Sequence, residues 1–175
     1  MKNSPRIMIL GVGCKLLTDE GFGIHVIEAL DARHTFPDNV SIVDGGVLGL
    51  NLLGVISETD RLIVIDVIRN NGAPGTLCRI DHDDIPNRFR AKNSLHQIDF
   101  LEAMTVCRTV LDREPQTVIL GVEPADVETC SVELTPVIRA KTEEMIRLIL
   151  SELESLGVTW AEKGAVSENV SCNSL

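Results

Sequence analysis

An aspartate inside an apolar strand is the residue with the clearest chemical meaning in this chain. Asp66 lies in residues 62–68 (LIVIDVI), the most distinct strand pattern of the sequence. An ionised carboxylate buried there is costly unless a partner compensates for its lost hydration. Open α/β sheets place their sites beyond the carboxyl ends of strands, and Asp66 lies near such an end. The sequence leaves two interpretations equally open, a functional carboxylate or a cap of a neighbouring turn.

Two adjacent acids, Asp19 and Glu20, stand where the next candidate helix begins. Carboxylates are stabilised at a helix N-terminus whatever the function, because the helix dipole is positive there. Local chemistry therefore favours a structural explanation, with a functional role as the alternative. Nothing in the local sequence distinguishes Asp19 from Glu20.

A histidine near the start of a predicted helix is the third candidate. His96 lies within a Ser-x-x-Gln capping box at residues 94–97, which predicts a helix over 94–112 with His96 in its first turn. The helix dipole disfavours a protonated imidazole there, so the ring is expected to be neutral and able to bind a metal. A histidine with a purely structural role is an equal alternative. The other histidines are interpreted as surface residues: His25, His34 and His82.

Other catalytic motifs are incomplete in this sequence. Gly11 and Gly13 follow the first apolar run, but a dinucleotide-binding fingerprint needs a third glycine where the chain has Leu16. The sequence contains no Gly-x-Ser-x-Gly elbow, and no cysteine has an obvious adjacent base. Cys107 falls in a predicted helix and is expected to belong to the core. We therefore predict neither a covalent nucleophile nor an organic cofactor.

Alternating strands and helices must position these candidates. Apolar runs predict strands over 6–12, 40–43, 62–68 and 117–122, with residues 76–80 pairing back as a hairpin. Periodicity and caps predict helices over 20–33, 48–56 and 94–112, and a long helix from the N-cap Thr135 to Gly157. This order predicts an α/β layer sandwich. Without a linker or repeat, residues 1–160 form one predicted domain, and the polar residues 161–175 form a predicted flexible tail.

Composition and charge narrow the function classes. Hydrophobic residues make up 44% of the 175 residues and charged residues 24%, an ordinary globular composition. The formal net charge of −10 disfavours nucleic acid and membrane surfaces as partners and favours a basic protein segment. No apolar stretch approaches the length of a membrane-spanning helix. Five scattered cysteines without a CxxC pair predict reduced thiols and a cytoplasmic location.

Several segments together resemble the hydrogenase maturation endopeptidases, which trim the C-terminus of the nickel–iron hydrogenase large subunit. The matching segments occur in the family's order: ILGVGCKLLTDEGFG (9–23), VDGG (43–46), LIVIDVI (62–68), APGT (73–76), LHQ (95–97), GVEP (121–124) with Glu128, and LTP (134–136). They span nearly the whole chain ahead of the predicted tail. The resemblance implies a five-stranded, mostly parallel sheet between layers of helices.

The resemblance also implies which residues contact a metal. In the family these are the second acid of the acidic pair, the strand-end aspartate and the histidine of the His-Gln pair. They correspond here to Glu20, Asp66 and His96. The resemblance, and not the local chemistry, selects Glu20 over Asp19, and it separates no catalytic residue from this trio.

Two positions depart from the family's pattern. Cys14 stands where asparagine is common, and Glu133 stands where a small residue is often found. We interpret Cys14 as a small residue at a strand end rather than as an additional soft ligand. Glu133 is interpreted as an adaptation to a particular substrate surface.

The predicted activity is hydrolysis of a peptide bond in a nickel-loaded hydrogenase large-subunit precursor, which releases its C-terminal extension. Two carboxylates and one imidazole suit a borderline divalent ion. The resemblance implies that nickel arrives with the substrate. Two alternatives stay open at this point, a metal-dependent hydrolase of small molecules and a nickel-checking chaperone that does not cut.

Overall fold

The computed structural model describes residues 4–47, 53–86, 102 and 104–164. The strands in this part of the chain are β1 Ile7–Val12, β2 His34–Thr35, β3 Val40–Gly46, β4 Arg61–Val67, β5 Leu77–Asp81, β6 Gln116–Val122 and β7 Ala161–Glu162. The α-helices are α1 Phe22–Arg33, α2 Leu53–Ser57, α3 over 104–109, α4 Pro136–Arg139 and α5 Thr142–Ser155. Short 3-10 turns lie at Thr18–Gly21 and His82–Asp84. None of the helices described is long and apolar enough to cross a membrane.

Five strands form one sheet in the order β3-β1-β4-β6-β5. The first four are parallel, and β5 lies antiparallel to β6 at one side. The register places Ile7 beside Val40 and Arg61, and Arg61 beside Gln116, so the four parallel strands start together. We call this end of the sheet the amino edge and the opposite end the carboxyl edge. The predicted five-stranded, mostly parallel sheet is confirmed.

Helices cover both faces of the sheet. α1 and α5 pack on one face and α2 and α3 on the other, each over a cluster of buried aliphatic side chains. Every residue of β1 is buried, and Arg61 is the one exposed residue of β4. Continuous burial is expected where a parallel strand has helices on both sides, which confirms the three-layer sandwich. Cys107 belongs to the second cluster, as predicted, and its burial raises the pKa of its thiol.

Two predicted elements differ in the structure. The hairpin prediction for residues 76–80 is wrong, because β5 pairs with β6, which lies between β5 and β4. The single long helix after Thr135 is instead two helices, α4 and α5. An N–H···O bond from Lys141 to Ile138 tightens the chain between them to 3-10 spacing. Gly157 follows the end of α5, as its positive φ of 76° allows.

Two predicted helices are covered only in part. The helix predicted over 48–56 is described from residue 53, and α2 confirms that portion. The helix predicted over 94–112 is described at 102 and from 104 onwards, and α3 confirms its later part. Residues 48–52 and 94–101 lie outside the described residues.

The histidines are less exposed than predicted. His34 is buried at 6% exposure, its Nδ1 lies 3.1 Å from the Leu30 carbonyl oxygen, and its ring packs edge-on against Trp160. The surface prediction is therefore wrong for His34. His25 and His82 are half-buried, and each makes a hydrogen bond to a backbone group.

The start of the predicted tail is paired with the rest of the domain. β7 lies antiparallel to β2, and the Lys163 N–H donates to the Arg33 carbonyl at 2.7 Å. Ala161–Glu162 and β2 thus form a small second sheet at the end of α1. Residues 165–175 lie outside the described residues, so the flexible tail stays a prediction there.

Candidate functional site

The carboxyl edge between β1 and β4 is a topological switch point. The chain leaves β1 for β3 on one side and later returns to β4 on the other, so the connecting loops diverge there. In open α/β sheets, ligands bind in the crevice that such divergence creates. The turn Thr18–Gly21 follows β1 and lies against β4, and Asp66 is the last residue but one of β4. The structure therefore places Asp66 and the turn that carries Glu20 at the same crevice.

Asp66 is a buried carboxylate at the carboxyl edge. It is 5% exposed, and its Oδ1 accepts a hydrogen bond from the Val67 N–H at 2.7 Å. This bond lies within the strand. Carboxylate oxygens beside such a crevice are ligands that divalent metal ions use in proteins.

Glu20 is held in place through its backbone. Its N–H donates to the Leu17 carbonyl at 2.9 Å, and its own carbonyl rests on Gly13. A Cβ at Gly13 would lie 1.7 Å from the Glu20 oxygen, and the φ of +134° at Gly13 is one that other residues avoid. The Gly13 N–H donates to the Gly46 carbonyl at 2.9 Å. Gly13, just after β1, contacts both the Glu20 carbonyl and Gly46, the last residue of β3. It thus connects the Glu20 turn to the end of β3.

Asp19 and Glu20, which the local sequence does not distinguish, have different environments. Asp19 has no exposed surface, and its carboxylate accepts hydrogen bonds from the backbone N–H groups of Ala125, Asp126 and Thr135 at 3.0, 2.9 and 2.8 Å. Glu20 is half-buried. The fold uses the Asp19 carboxylate to hold three backbone groups together. Glu20 stays the metal-contacting residue that the resemblance implies.

Thr135 has a role that sequence reasoning missed. It is the N-cap residue of α4, as predicted, but its side chain makes no capping bond. Its hydroxyl Oγ1 lies 2.9 and 3.0 Å from the two carboxylate oxygens of Asp19. The family-like LTP segment, which contains Thr135, was the available signal that this residue does more than start a helix.

Glu123 is another residue that local sequence reasoning missed, and its side chain is buried. It is 7% exposed, and its Oε2 accepts the Asn70 N–H at 2.6 Å. Its backbone N–H and C=O bond to Thr76 and Gly75 at 2.9 and 2.8 Å. Glu123 therefore holds both ends of the loop that follows the Asp66 strand. The available signal was an acid directly after a buried strand, whereas Asp66 lies within the last residues of one.

A groove of about 320 Å³ lies beside the carboxyl edge, next to this loop. Its ionisable lining residues are one guanidinium and three carboxylates: Arg69, Glu123, Asp126 and Glu128. The Asp126 carboxylate accepts hydrogen bonds from Thr129 and Glu128, and these bonds lower its pKa. The excess of negative charge in this groove matches the acidic character of the whole chain.

His96 lies outside the described residues, so the trio of Glu20, Asp66 and His96 stays a prediction. Among the residues that are described, no group of three His, Cys, Asp or Glu side chains could hold a metal ion. That absence does not bear on a trio that includes His96. Cys14 is half-buried at the end of β1, and its carbonyl accepts the Leu17 N–H at 3.1 Å. That position agrees with a small strand-end residue.

Comparison with known proteins gives consistent matches over most of the chain. A family model described as hydrogenase maturation protease matches residues 24–152. The chain is 34% identical over 164 residues to the hydrogenase 2 maturation protease of Escherichia coli strain K12, covering 93% of this chain and 99% of that protein. It is 40% identical over 162 residues to the hydrogenase expression/formation protein HupD of Bradyrhizobium diazoefficiens, covering 91% and 84%.

Solved structures agree with the fold. The hydrogenase maturating endopeptidase HybD from E. coli superimposes with a TM-score of 0.85 at 36% identity, over 90% of this chain and 98% of that one. The solution structure of an endopeptidase from Escherichia coli gives a TM-score of 0.82 at 33% identity, over 92% and 99%. The three-layer arrangement around the carboxyl edge is therefore shared with solved endopeptidase structures.

Proposed function

The chain belongs to the hydrogenase maturation protease family and is a hydrolase of peptide bonds, and we propose that it removes the C-terminal extension of a nickel-loaded large-subunit precursor of a nickel–iron hydrogenase. One observation carries the proposal. Asp66 and the Glu20 turn meet at the switch-point crevice, while the neighbouring Asp19 is used by the fold. We further propose that the reaction takes place in the cytoplasm, where scattered cysteines stay reduced.

Nickel enters this proposal as part of the substrate. Glu20, Asp66 and His96 supply two carboxylates and one imidazole, a ligand set that suits a borderline divalent ion and leaves positions open to the precursor's own ligands. Contact between the trio and the substrate-borne ion would report that metal insertion is complete. The same contact would hold the scissile bond at the carboxyl edge.

The chemistry is addition of water to a peptide carbonyl. As the water oxygen bonds to the carbonyl carbon, a carboxylate within hydrogen-bonding reach accepts the water proton. The C–N bond then breaks, and that proton passes to the leaving nitrogen. We assign the proton transfer to the trio's carboxylates without separating Glu20 from Asp66. The groove beside the carboxyl edge is where we expect the C-terminal extension of the precursor to bind.

The decisive experiment is mass spectrometry of nickel-loaded and nickel-free precursor after incubation with the protein. We expect loss of a C-terminal peptide from the nickel-loaded form alone. Glu20→Gln, Asp66→Asn and His96→Ala should each slow cleavage by about a hundredfold or more, because each removes a charge or a ligand from the site. Glu58→Gln is the matched control, since Glu58 is exposed at the amino edge and pairs with Arg6.

Four results would count against the proposal. Equal cutting without nickel, or undiminished cutting by all three variants, would remove the metal-reading mechanism. An intact, well-matched precursor after prolonged incubation would favour a chaperone that checks nickel without cutting. A tightly held, stoichiometric metal in the purified protein would instead favour a hydrolase with an ion of its own.

A further inference from the structure

We infer that Asp19 is a positioning residue that fixes Glu20 at the crevice, with Thr135 as its hydroxyl partner. The inference rests on the proposed function, because it concerns how the proposed metal-contacting residue is held. Asp19 acts through the backbone of the turn Thr18–Gly21 and does not itself touch the substrate. This role is separate from the roles of the trio and is assigned from the contacts of the described residues.

The Asp19 carboxylate gathers three separate parts of the chain. It lies in the turn after β1, it accepts the N–H groups of Ala125 and Asp126 just after β6, and it accepts the N–H and hydroxyl of Thr135 at the start of α4. The Asp19 N–H donates to the Asp126 carbonyl at 3.0 Å. All of these bonds are buried or half-buried, where hydrogen bonds are strongest and their loss most costly. The turn therefore has few ways to move.

The residue before Asp19 carries backbone strain. Thr18 has a φ of +39°, a left-handed conformation that a β-branched residue rarely adopts. Its N–H donates to the Ser131 carbonyl at 2.8 Å, and its hydroxyl donates to the Thr129 carbonyl at 2.6 Å. Strained residues persist where the surroundings over-determine them, and they concentrate at functional sites. Thr129 and Ser131, which accept the Thr18 hydrogen bonds, follow soon after the residues whose N–H groups bind the Asp19 carboxylate. Both anchors therefore belong to one loop.

Glu20 is confined from the opposite side by Gly13. Its carbonyl sits where a Gly13 side chain would be, and its N–H bonds back to Leu17. The Glu20 backbone thus lies between Gly13 and the anchored Asp19. A shift of the Asp19 anchor would be transmitted to the Glu20 side chain, and displacements of about 1 Å at a reacting centre can cost a hundredfold in rate.

The number of hydrogen bonds that the Asp19 side chain accepts explains why a carboxylate is needed here. The donors are three backbone N–H groups and one hydroxyl, distributed over both carboxylate oxygens. An asparagine has one acceptor oxygen, and its NH₂ group would face backbone donors. Asp19→Asn is therefore a severe test. Thr135→Val is a mild one, because it removes the hydroxyl and keeps the shape and the backbone N–H.

The first test measures the turn directly by amide hydrogen exchange of the folded protein. We expect the Glu20 N–H to exchange about tenfold faster in Thr135→Val, since one hydrogen bond to a charged group is lost. Asp19→Asn should have a larger effect. Thr135→Ser, which keeps the hydroxyl, should restore the wild-type rate. Thr117→Val is the matched control, because Thr117 is buried near the amino edge and its hydroxyl bonds to the Pro115 carbonyl at 2.9 Å.

The second test asks whether Thr135 acts through Glu20. Thr135→Val should lower the turnover number for precursor cleavage by about tenfold in the wild-type background. In a Glu20→Gln background the same substitution should have no further effect, because the group being positioned is already lost. A substitution that merely weakens the fold would lower both backgrounds by the same factor.

The outcomes separate this inference from the proposed function. Unchanged exchange at Glu20 in both Asp19→Asn and Thr135→Val would overturn it, as would equal tenfold losses in the two backgrounds. A wild-type protein that leaves the precursor intact would overturn the proposed function. In that case the exchange measurement alone would still decide whether Asp19 fixes the turn.

Discussion

The two ends of the sheet hold their acidic residues by different means. At the carboxyl edge, Asp19 and Glu123 are buried, and the donors to their carboxylates are backbone N–H groups and one hydroxyl. At the amino edge, the Asp60 carboxylate is 41% exposed and bonds to the Arg6 N–H and the Arg113 guanidinium at 2.8 Å each. A further arginine–carboxylate pair, Arg6 with Glu58, lies on the exposed surface at that edge.

This difference determines how much negative charge each end retains. An arginine partner neutralises a carboxylate, whereas a backbone N–H holds it in place and leaves its charge uncompensated. Among the described residues, neither Asp19 nor Glu123 has a cationic partner. We therefore expect the carboxyl edge to retain more unpaired negative charge than the amino edge, which would suit the cation of the proposed substrate. The amino edge has paired charges that serve stability.

The largest expected effect concerns the close approach of Gly13 to Glu20 at the carboxyl edge. Gly13→Ala should lower the free energy of unfolding by more than about 4 kcal/mol, because its Cβ would overlap the Glu20 carbonyl. Gly157→Ala at the amino edge should cost about 1 kcal/mol, since Gly157 has a positive φ but open space around its Cα. Denaturant unfolding followed by circular dichroism measures both. Similar losses for the two variants would mean that the turn relaxes easily.

The next effect compares one acid from each end. Asp19→Ala should cost about 4 kcal/mol, because three backbone N–H groups lose their acceptor in a buried place. Asp60→Ala should cost about 1 kcal/mol, as expected for an exposed ion pair. The same unfolding measurement applies. If Asp60→Ala proved the more damaging change, the contrast between the two ends would be wrong.

The smallest effect is electrostatic and lies at the amino edge. The Arg6 N–H and the Arg113 guanidinium hold the pKa of Asp60 below its ordinary value. Because the folded pKa is the lower one, this stabilisation is complete above about pH 4 and is lost as the pH falls through the folded value. Arg113→Ala should raise the pKa of Asp60 but leave it lowered, because the Arg6 N–H remains.

Carboxylate titration by NMR checks this prediction in one experiment. Asp126 is an internal control, since its pKa is lowered by hydrogen bonds from Thr129 and Glu128 rather than by an arginine. Its titration should not respond to Arg113→Ala. A shift of Asp126 equal to that of Asp60 would indicate a general change in the protein rather than the loss of one ion pair.

Most of the fold could be predicted because its signals are local. β1 and β4 are continuous apolar runs, which is how strands with helices on both faces appear in sequence. The position of β5 could not be predicted in this way. Its neighbour in sequence is β4, but the sheet places β6 between them. Strand order depends on long-range packing that a local pattern does not encode.

The candidate site was predictable only in part. Local chemistry marked Asp66 as a candidate with its role left open, and it left Asp19 and Glu20 equivalent, because both are acids at a helix start. What separates them is a set of partners more than a hundred residues further along the chain, among them Thr135. His34 was misjudged for a related reason, since its burial depends on Trp160, which is also distant in sequence. His96 stays a prediction from the resemblance.

The contact between His34 and Trp160 gives the protein a natural optical reporter. Trp160 is the single tryptophan of the chain, and its indole meets the His34 imidazole edge-on at a centroid distance of 5.1 Å. It directly precedes β7, which pairs with the strand that carries His34. The fluorescence of this one tryptophan therefore reports whether β7, the last described strand, is paired with β2. Docking or release of that end can be watched in unlabelled protein, away from the cleavage chemistry.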